Sequence, residues 1–225
     1  MVTIGGGPRP DGHADSVDVF LESAACSTFL DAALRVYGAI RPGFPYPCFG
    51  VLVGCLRGDS ARVERVEFGR NVRATDSAAL GEFSESIVPC FGTAYENPHR
   101  GYWCDSTDLL RIMRDAELDG LDILGSIHLH PDWHNIDSPG GNGSPLSEHP
   151  TRMDKYVFVN TGWPINLICY LERRNSSIYH SWGAWTPRTA DPSDPHCDAL
   201  PVRLALPGHT RVHRTRATPR YREDQ

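Results

Sequence analysis

The sequence predicts a single mixed α/β (α+β) domain: a central mixed β-sheet flanked by helices, with extended tails at both ends. Three observations carry this. Short apolar, strand-like runs alternate with only two segments of clear helical spacing. The 225 residues are enough for one good core but few for two large domains. Residues 1–16 are rich in Gly, Pro and Asp, and residues 187–225 in Pro and Arg, which leaves 17–186 for the domain.

The elements follow in order. "VDVFLES" (17–23) alternates Val17, Val19 and Leu21 as a strand does, although Phe20 breaks the pattern. "ACSTFLDAALRVYGAI" (25–40) spaces Phe29, Leu30, Ala33, Leu34 and Tyr37 as a helix, with Ser27 or Thr28 as its cap. "RPGFPYP" is a loop. "CFGVLVGCL" (48–56) is a continuous apolar run, expected of a central buried strand. "ARVERVEFGRNV" (61–72) pairs with it through the "RGDS" turn. Residues 74–103 read as a long loop with some local structure. In 105–120, Leu109, Ile112, Met113 and Ala116 form one helical face, with Asp105 or Ser106 as cap and Gly120 as terminator. "LDILGSIHLH" (121–130) is a buried strand; "KYVFVNTG", "INLICYLER" and "SSIYHSWGAW" are read as three more.

Composition narrows the function classes. Net charge is −6 with a pI near 5.9, so nothing in the charge balance points to nucleic acid or an anionic membrane surface. The seven cysteines are odd in number and form no CxxC pair, which fits a reduced, cytoplasmic protein better than a disulfide scaffold. No apolar h-region opens the chain, and no run approaches the ~18 apolar residues of a membrane span.

The chemistry concentrates in "GSIHLHPDWHNIDSPGGNGSPLSEHPTRMDKY", Gly125 to Tyr156. Side chains two apart on a strand share a face, so His128 and His130 point the same way with Cβ atoms roughly 7 Å apart. Both imidazoles can then reach one zinc at ~2.0–2.1 Å. A carboxylate from the following loop or helix start supplies a third ligand, leaving the fourth position open, as catalytic sites do. Asp154 is one such acid; Asp132, His134, Asp137 and His149 in the same stretch are alternative ligands. Two histidines and a carboxylate also suit Fe(II).

"LGSIHLHP" followed by "PTRMD" resembles the JAMM motif of the MPN (Mov34/PAD-1) metallohydrolases, which reads roughly G-x-x-H-[ST]-H-P and closes with P-S-x-x-D. The likeness runs from about Val17 to Trp185, including "FGVLVG", "VERVEFGRNV" and the pair "INLICYLE…YHSWGAW". It implies an MPN/JAMM-like domain that holds Zn2+ on His128, His130 and Asp154. Thr151 stands where the family serine contacts the scissile carbonyl and stabilises the oxyanion. The implied reaction is hydrolysis of an amide or isopeptide bond. Substrates would be the C-terminus of a ubiquitin-like sulfur-carrier protein, or a small amide in a biosynthetic pathway. Family members often dimerise, so a homodimer is one implied assembly.

Three departures matter. The interval from His130 to Asp154 is much longer than in the family. Leu129 replaces a small hydroxyl residue. The family places its general base in P-x-E-x-x-G, whereas this chain reads "PYPCFG", with Pro47 at the glutamate position. Losing a general base typically costs on the order of 10²–10⁴-fold. Glu148, Asp132 and His134 are the substitutes nearest the motif, with Glu82, Glu85 and Glu96 further away, and Cys48 adjoins the vacant position. Trp133, Trp163, Trp182 and Trp185 are candidates for a cleft or for packing. Two other functions remain in view: a non-catalytic MPN module that binds a partner, and a metalloenzyme with non-hydrolytic chemistry.

Overall fold

A computed structural model describes residues 17–132 and 149–205. Chain order gives β1 (Asp18–Glu22), α1 (Ser23–Ala39), β2 (Phe49–Arg57) and β3 (Ser60–Glu67). A helical stretch follows: α2 (Ser77–Glu82) runs through a π turn (Phe83–Ile87) into α3 (Val88–Phe91), then a 3-10 turn (Thr93–Glu96). The chain continues with α4 (Ser106–Leu118), β4 (Asp122–Pro131), α5 (Arg152–Thr161), β5 (Ile165–Arg174), β6 (Ser177–Pro187), β7 (Cys197–Leu200) and β8 (Val202–Ala205).

All eight strands form one mixed sheet in the order β7-β6-β5-β4-β2-β3-β1-β8. β4 and β5 are parallel, as are β1–β3 and β1–β8; the other pairs are antiparallel. β7 and β8 lie at opposite ends of that order, yet Pro201 alone separates them in the chain. The sheet must therefore curl until its two edges meet, giving a nearly closed, barrel-like form. This corrects the reading of 187–225 as a tail, since 197–205 supply both edge strands. "CDAL" and "VRLA" are too short to show a period, and the prolines around them dominate the composition. They are placed by pairing: the Val19 N–H donates to the Pro201 carbonyl at 2.8 Å, and Arg203 bridges Asp18 at 2.7 Å.

α1 covers one face of the sheet. Ala25, Phe29, Ala33 and Tyr37 pack on Leu52, Ile127, Leu129, Leu167 and Leu171. On the other face, Ile112 and Ala116 of α4 meet Val51 and Val53. There too Phe158 of α5 meets Ile168, Tyr170 and Trp185, and the helical stretch rests Phe83 and Ile87 on Met153.

Three local expectations are corrected. "KYVFVNTG" is helical, part of α5. Its Val157/Val159 alternation mimics a strand, but Thr151 caps its start and left-handed Gly162 (φ 63°) ends it. Residues 74–103 are largely short helical turns, opened by the Asp76 carboxylate accepting from the Ala79 N–H. α1 begins at Ser23, ahead of the expected caps, and Ser27 spends its hydroxyl on the Ser23 carbonyl one turn back.

A bulge in β4 sets which residues face which side. Leu52 pairs with Gly125 and Val53 with Ile123, which leaves Leu124 over. Leu124 thereby joins Ile127 and Leu129 on the α1 side, while Ser126, His128 and His130 turn to the other. The bulge packs Gly125 against β5 so tightly that a Cβ there would lie 1.5 Å from the Ile165 carbonyl oxygen. Gly125→Ala should therefore displace β4 from β5, lowering stability in urea unfolding by at least ~3 kcal/mol. A loss under ~1 kcal/mol would show that the bulge tolerates a side chain.

Candidate metal centre

The site sits where a β4–α5–β5 crossover brings the first turn of α5 over the C-terminal end of β4. Along the sheet, Phe49, His128 and Ile168 are neighbours in register, as are His130 and Tyr170. The Phe158 ring lies 5.9 Å and the Tyr102 ring 5.7 Å from His128, and Tyr170 meets His130 edge-on at 5.5 Å. Tyr102 itself stacks on Phe49 at 4.5 Å.

Asp154 enters this aromatic box as the N3 residue of a capping box. The Thr151 N–H donates to Asp154 Oδ2 at 2.7 Å, and the Asp154 N–H donates to Thr151 Oγ1 at 3.2 Å. The Thr151 hydroxyl proton also goes to Asp154 Oδ2, at 2.6 Å. The hydroxyl expected to meet a substrate carbonyl thus aims the carboxylate instead. Asp154 Oδ1 lies 3.2 Å from His128 Nε2, its Oδ2 lies 3.2 Å from His130 Nε2, and the two Nε2 atoms are 3.0 Å apart.

These separations decide what the cluster can hold. Two imidazole lone pairs at this range repel unless a proton or a metal cation lies between them. For a tetrahedral ion with ~2.0–2.1 Å bonds, neighbouring ligand atoms are ~3.3 Å apart, close to what the cluster presents. His128, His130 and Asp154 can therefore hold a metal ion. His128 and Asp154 are buried, whereas His130 keeps partial exposure and marks the open side. Burial lowers the His128 pKa, so its ring stays neutral and ready to ligate. Burial alone would raise the Asp154 pKa, but the two imidazoles outweigh it and hold the carboxylate well below its usual range. His128 Nδ1 is buried and has no hydrogen-bond partner among the described residues, where packing between Tyr102 and Phe158 orients the ring.

The other sequence-derived candidates go elsewhere. Asp132 is fully buried, but its carboxylate accepts from the Tyr37 hydroxyl of α1 at 2.6 Å and the Arg173 N–H at 2.9 Å, which removes it as a base. Glu148, His134, Asp137 and Trp133 lie outside the described residues. His149 packs 5.9 Å from Trp185. Glu82 accepts from the Tyr156 hydroxyl at 2.6 Å. Cys48 sits in the α1-side core, where burial pushes its thiol up to about 12. Trp182 packs on Phe29 of α1, and Trp185 lies on the site's side beside Phe158. Sequence reasoning missed Tyr102 and Phe158. Phe158 was recoverable, because Thr151-x-x-Asp154 is itself a helix-start signature.

No protein-family model matches the chain, and no curated protein matches it. Among solved structures, it is similar to the solution structure of protein DSY2949 from Desulfitobacterium hafniense, a structural-genomics target. The TM-score is 0.47 at 16% identity, covering 83% of this chain and 92% of that one. The architecture described above is mixed α+β with a nearly closed eight-stranded sheet. No helix among the described residues is long and apolar enough to cross a membrane.

Thr151→Ala removes both the cap and the brace on Asp154. It should cost ~1–2 kcal/mol in thermal or chemical unfolding. It should also weaken metal binding by ~10–100-fold in competition with a chromophoric chelator. Unchanged metal affinity would remove Thr151 from the support of the site.

Proposed function

We propose that the protein is a zinc-dependent hydrolase of amide bonds, of the type the JAMM motif implies. The observation that carries this reading is the convergence of His128, His130 and Asp154 at tetrahedral spacing on one open-sided, buried site. The donor set, two imidazole nitrogens and one carboxylate oxygen, matches the three-ligand pattern of catalytic zinc. A zinc ion held there supplies Lewis acidity and makes water nucleophilic near neutral pH. The chain's own contributions are separate. Thr151 fixes the Asp154 carboxylate, while Tyr102, Phe49, Phe158 and Tyr170 wall the site with rings that keep bulk water away. That exclusion strengthens every charge interaction inside. On this reading the substrate is a small amide or the C-terminus of a ubiquitin-like carrier, and the domain is MPN-like.

The missing general base also bears on this reading. Phe49 pairs with His128, and the Leu129 N–H continues the ladder to the Cys48 carbonyl at 2.9 Å. The same register carried two residues back from Phe49 puts Pro47 beside His130, on the metal-facing side. On this reading Pro47 stands where the resemblance puts the glutamate, and it offers no proton acceptor. One alternative follows from that observation: a module that keeps the metal to bind a partner without hydrolysing it.

Protein purified without chelator should carry one equivalent of zinc per chain by elemental analysis. His128→Ala and Asp154→Ala should lose both the metal and zinc-restorable hydrolysis of acyl-amide substrates. Zinc without hydrolysis would favour the binding module, and protein that cannot be loaded with zinc would overturn both. Pro47→Glu should raise kcat of the zinc-loaded enzyme by up to ~10² through a restored base. No gain in a folded, zinc-loaded variant would show that the chemistry does not need a base at that position.

A further inference from the structure

Asp132 is a fully buried acid outside the ligand set, and it follows His130 and Pro131 directly. Its side chain turns to the α1 face. There Oδ1 accepts from the Tyr37 hydroxyl at 2.6 Å and Oδ2 from the Arg173 N–H at 2.9 Å. The Arg173 guanidinium in turn lies 5.6 Å from the centroid of the Tyr37 ring. A buried carboxylate is costly unless it is matched in place, and this one is matched two residues from a metal ligand.

The end of β4 needs such a tie. On its β2 edge the strand is bonded as far as the Leu129 N–H, which donates to the Cys48 carbonyl at 2.9 Å. Pro131 comes next on that edge and has no N–H to give. His130, the more exposed of the two histidines, therefore stands where β5 alone of the described strands still pairs with β4. Strand ends are where local opening begins. Here the Asp132 N–H donates to the Leu171 carbonyl at 3.0 Å. In a regular parallel ladder the carbonyl of residue 132 would take the Arg173 N–H. The Asp132 carboxylate takes that bond instead, so the ladder ends on a side chain, and the Tyr37 hydroxyl ties that side chain to α1.

We propose that Asp132 is a positioning residue for His130: its carboxylate locks the C-terminal end of β4 to β5 and α1, and so holds the His130 imidazole within ligating distance of His128 and Asp154. The proposal rests on the metal-centre reading and adds a support on the far face of the sheet. The carboxylate acts through the backbone of Pro131, from the side that α1 covers. Thr151 braces Asp154 in the same way from α5, so each end of the ligand set has its own anchor. One consequence is specific: α1 contributes no ligand, yet a single hydroxyl on it, that of Tyr37, governs metal affinity.

The test reads metal binding on folded, full-length protein. Zinc affinity is measured by competition with a chromophoric chelator, and ligand geometry by the d–d absorption bands of the cobalt-loaded protein. Asp132→Ala should weaken zinc binding ~10–100-fold, the usual effect of losing an outer support, and alter the cobalt bands. Tyr37→Phe removes one hydrogen bond and should weaken zinc binding ~3–10-fold. Asp132→Asn keeps the shape and one accepting oxygen, and should recover most of what Asp132→Ala loses. Hydrogen exchange locates the effect: in Tyr37→Phe the Asp132 and Arg173 amides should exchange faster, while those of Leu52 and Val53 keep the parent rate. Asp105→Ala removes the cap of α4 and serves as the stability control. It should lower the melting temperature and leave zinc affinity unchanged. If Asp132→Ala does not fold, Tyr37→Phe and Asp132→Asn carry the decision. Parent-like zinc affinity and cobalt bands in the folded variants overturn the proposal. So does an equal loss of affinity in Asp105→Ala. The parent's own zinc and cobalt uptake separates the two failures. If the parent takes up metal and the variants match it, only the role of Asp132 falls; if the parent takes up neither ion, the metal-centre reading falls and the proposal with it.

Discussion

A buried carboxylate has to be matched, and the matching of Asp154 organises this protein. Taking an acid out of water costs several kcal/mol unless charge and hydrogen bonds are supplied in place. Asp154 is supplied from both ends: two imidazoles of β4 on one side, and the amide and hydroxyl of Thr151 on the other. Each donor is useful only if its own element is held. The histidines therefore need β4 in fixed register, and Thr151 needs α5 to begin where it does. The same interaction that caps a helix also completes a ligand set.

The sheet supplies the rest of that constraint. The bulge at Leu124 lets β4 put three consecutive apolar contributions under α1 and still turn both histidines outward. Without the extra residue, strict alternation would force Leu124 onto the face that carries His128. Parallel pairing of β4 with β5 then requires a crossover, and α5 is that crossover. Its first turn necessarily lies above the C-terminal ends of the two strands, the usual place for a ligand in a βαβ unit. Asp154 arrives over His128 and His130 by topology, and the capping box only has to orient it.

The sequence disclosed most where one period dominated. β2, β4 and β5 are buried over most of their length and read as long apolar runs, and α4 showed its helical face and its Asp105 cap. His128 and His130 were legible because a period of two forces them onto one face. α5 was illegible by hydropathy, because Val157 and Val159 alternate as a strand would, while the buried pair at helical spacing, Asp154 and Phe158, includes an acid. The capping box was there to be seen and outweighed the alternation. β7 and β8 could not be read at all, being four residues each and specified by edge pairing with distant β6 and β1. Asp132 misled for a related reason: an acid one residue beyond a strand end can turn to either face, and only the Tyr37 hydroxyl on α1 decides which.

Pro47 ties these strands together. At a position that register places beside His130, a proline removes an N–H from the ladder and fixes its own φ. It also adds no charge beside Asp154. Two carboxylates around one buried site repel unless a divalent cation or a proton sits between them. With proline there, the negative charge among the described residues of the site rests on Asp154, which accepts from Thr151 and lies 3.2 Å from each imidazole. The consequence is a division of labour: the sheet and α5 hold His128, His130 and Asp154, and Pro47 adds no proton acceptor beside them. The aromatic rings of Tyr102, Phe158 and Tyr170 leave the partly exposed His130 side as the open face of the cluster.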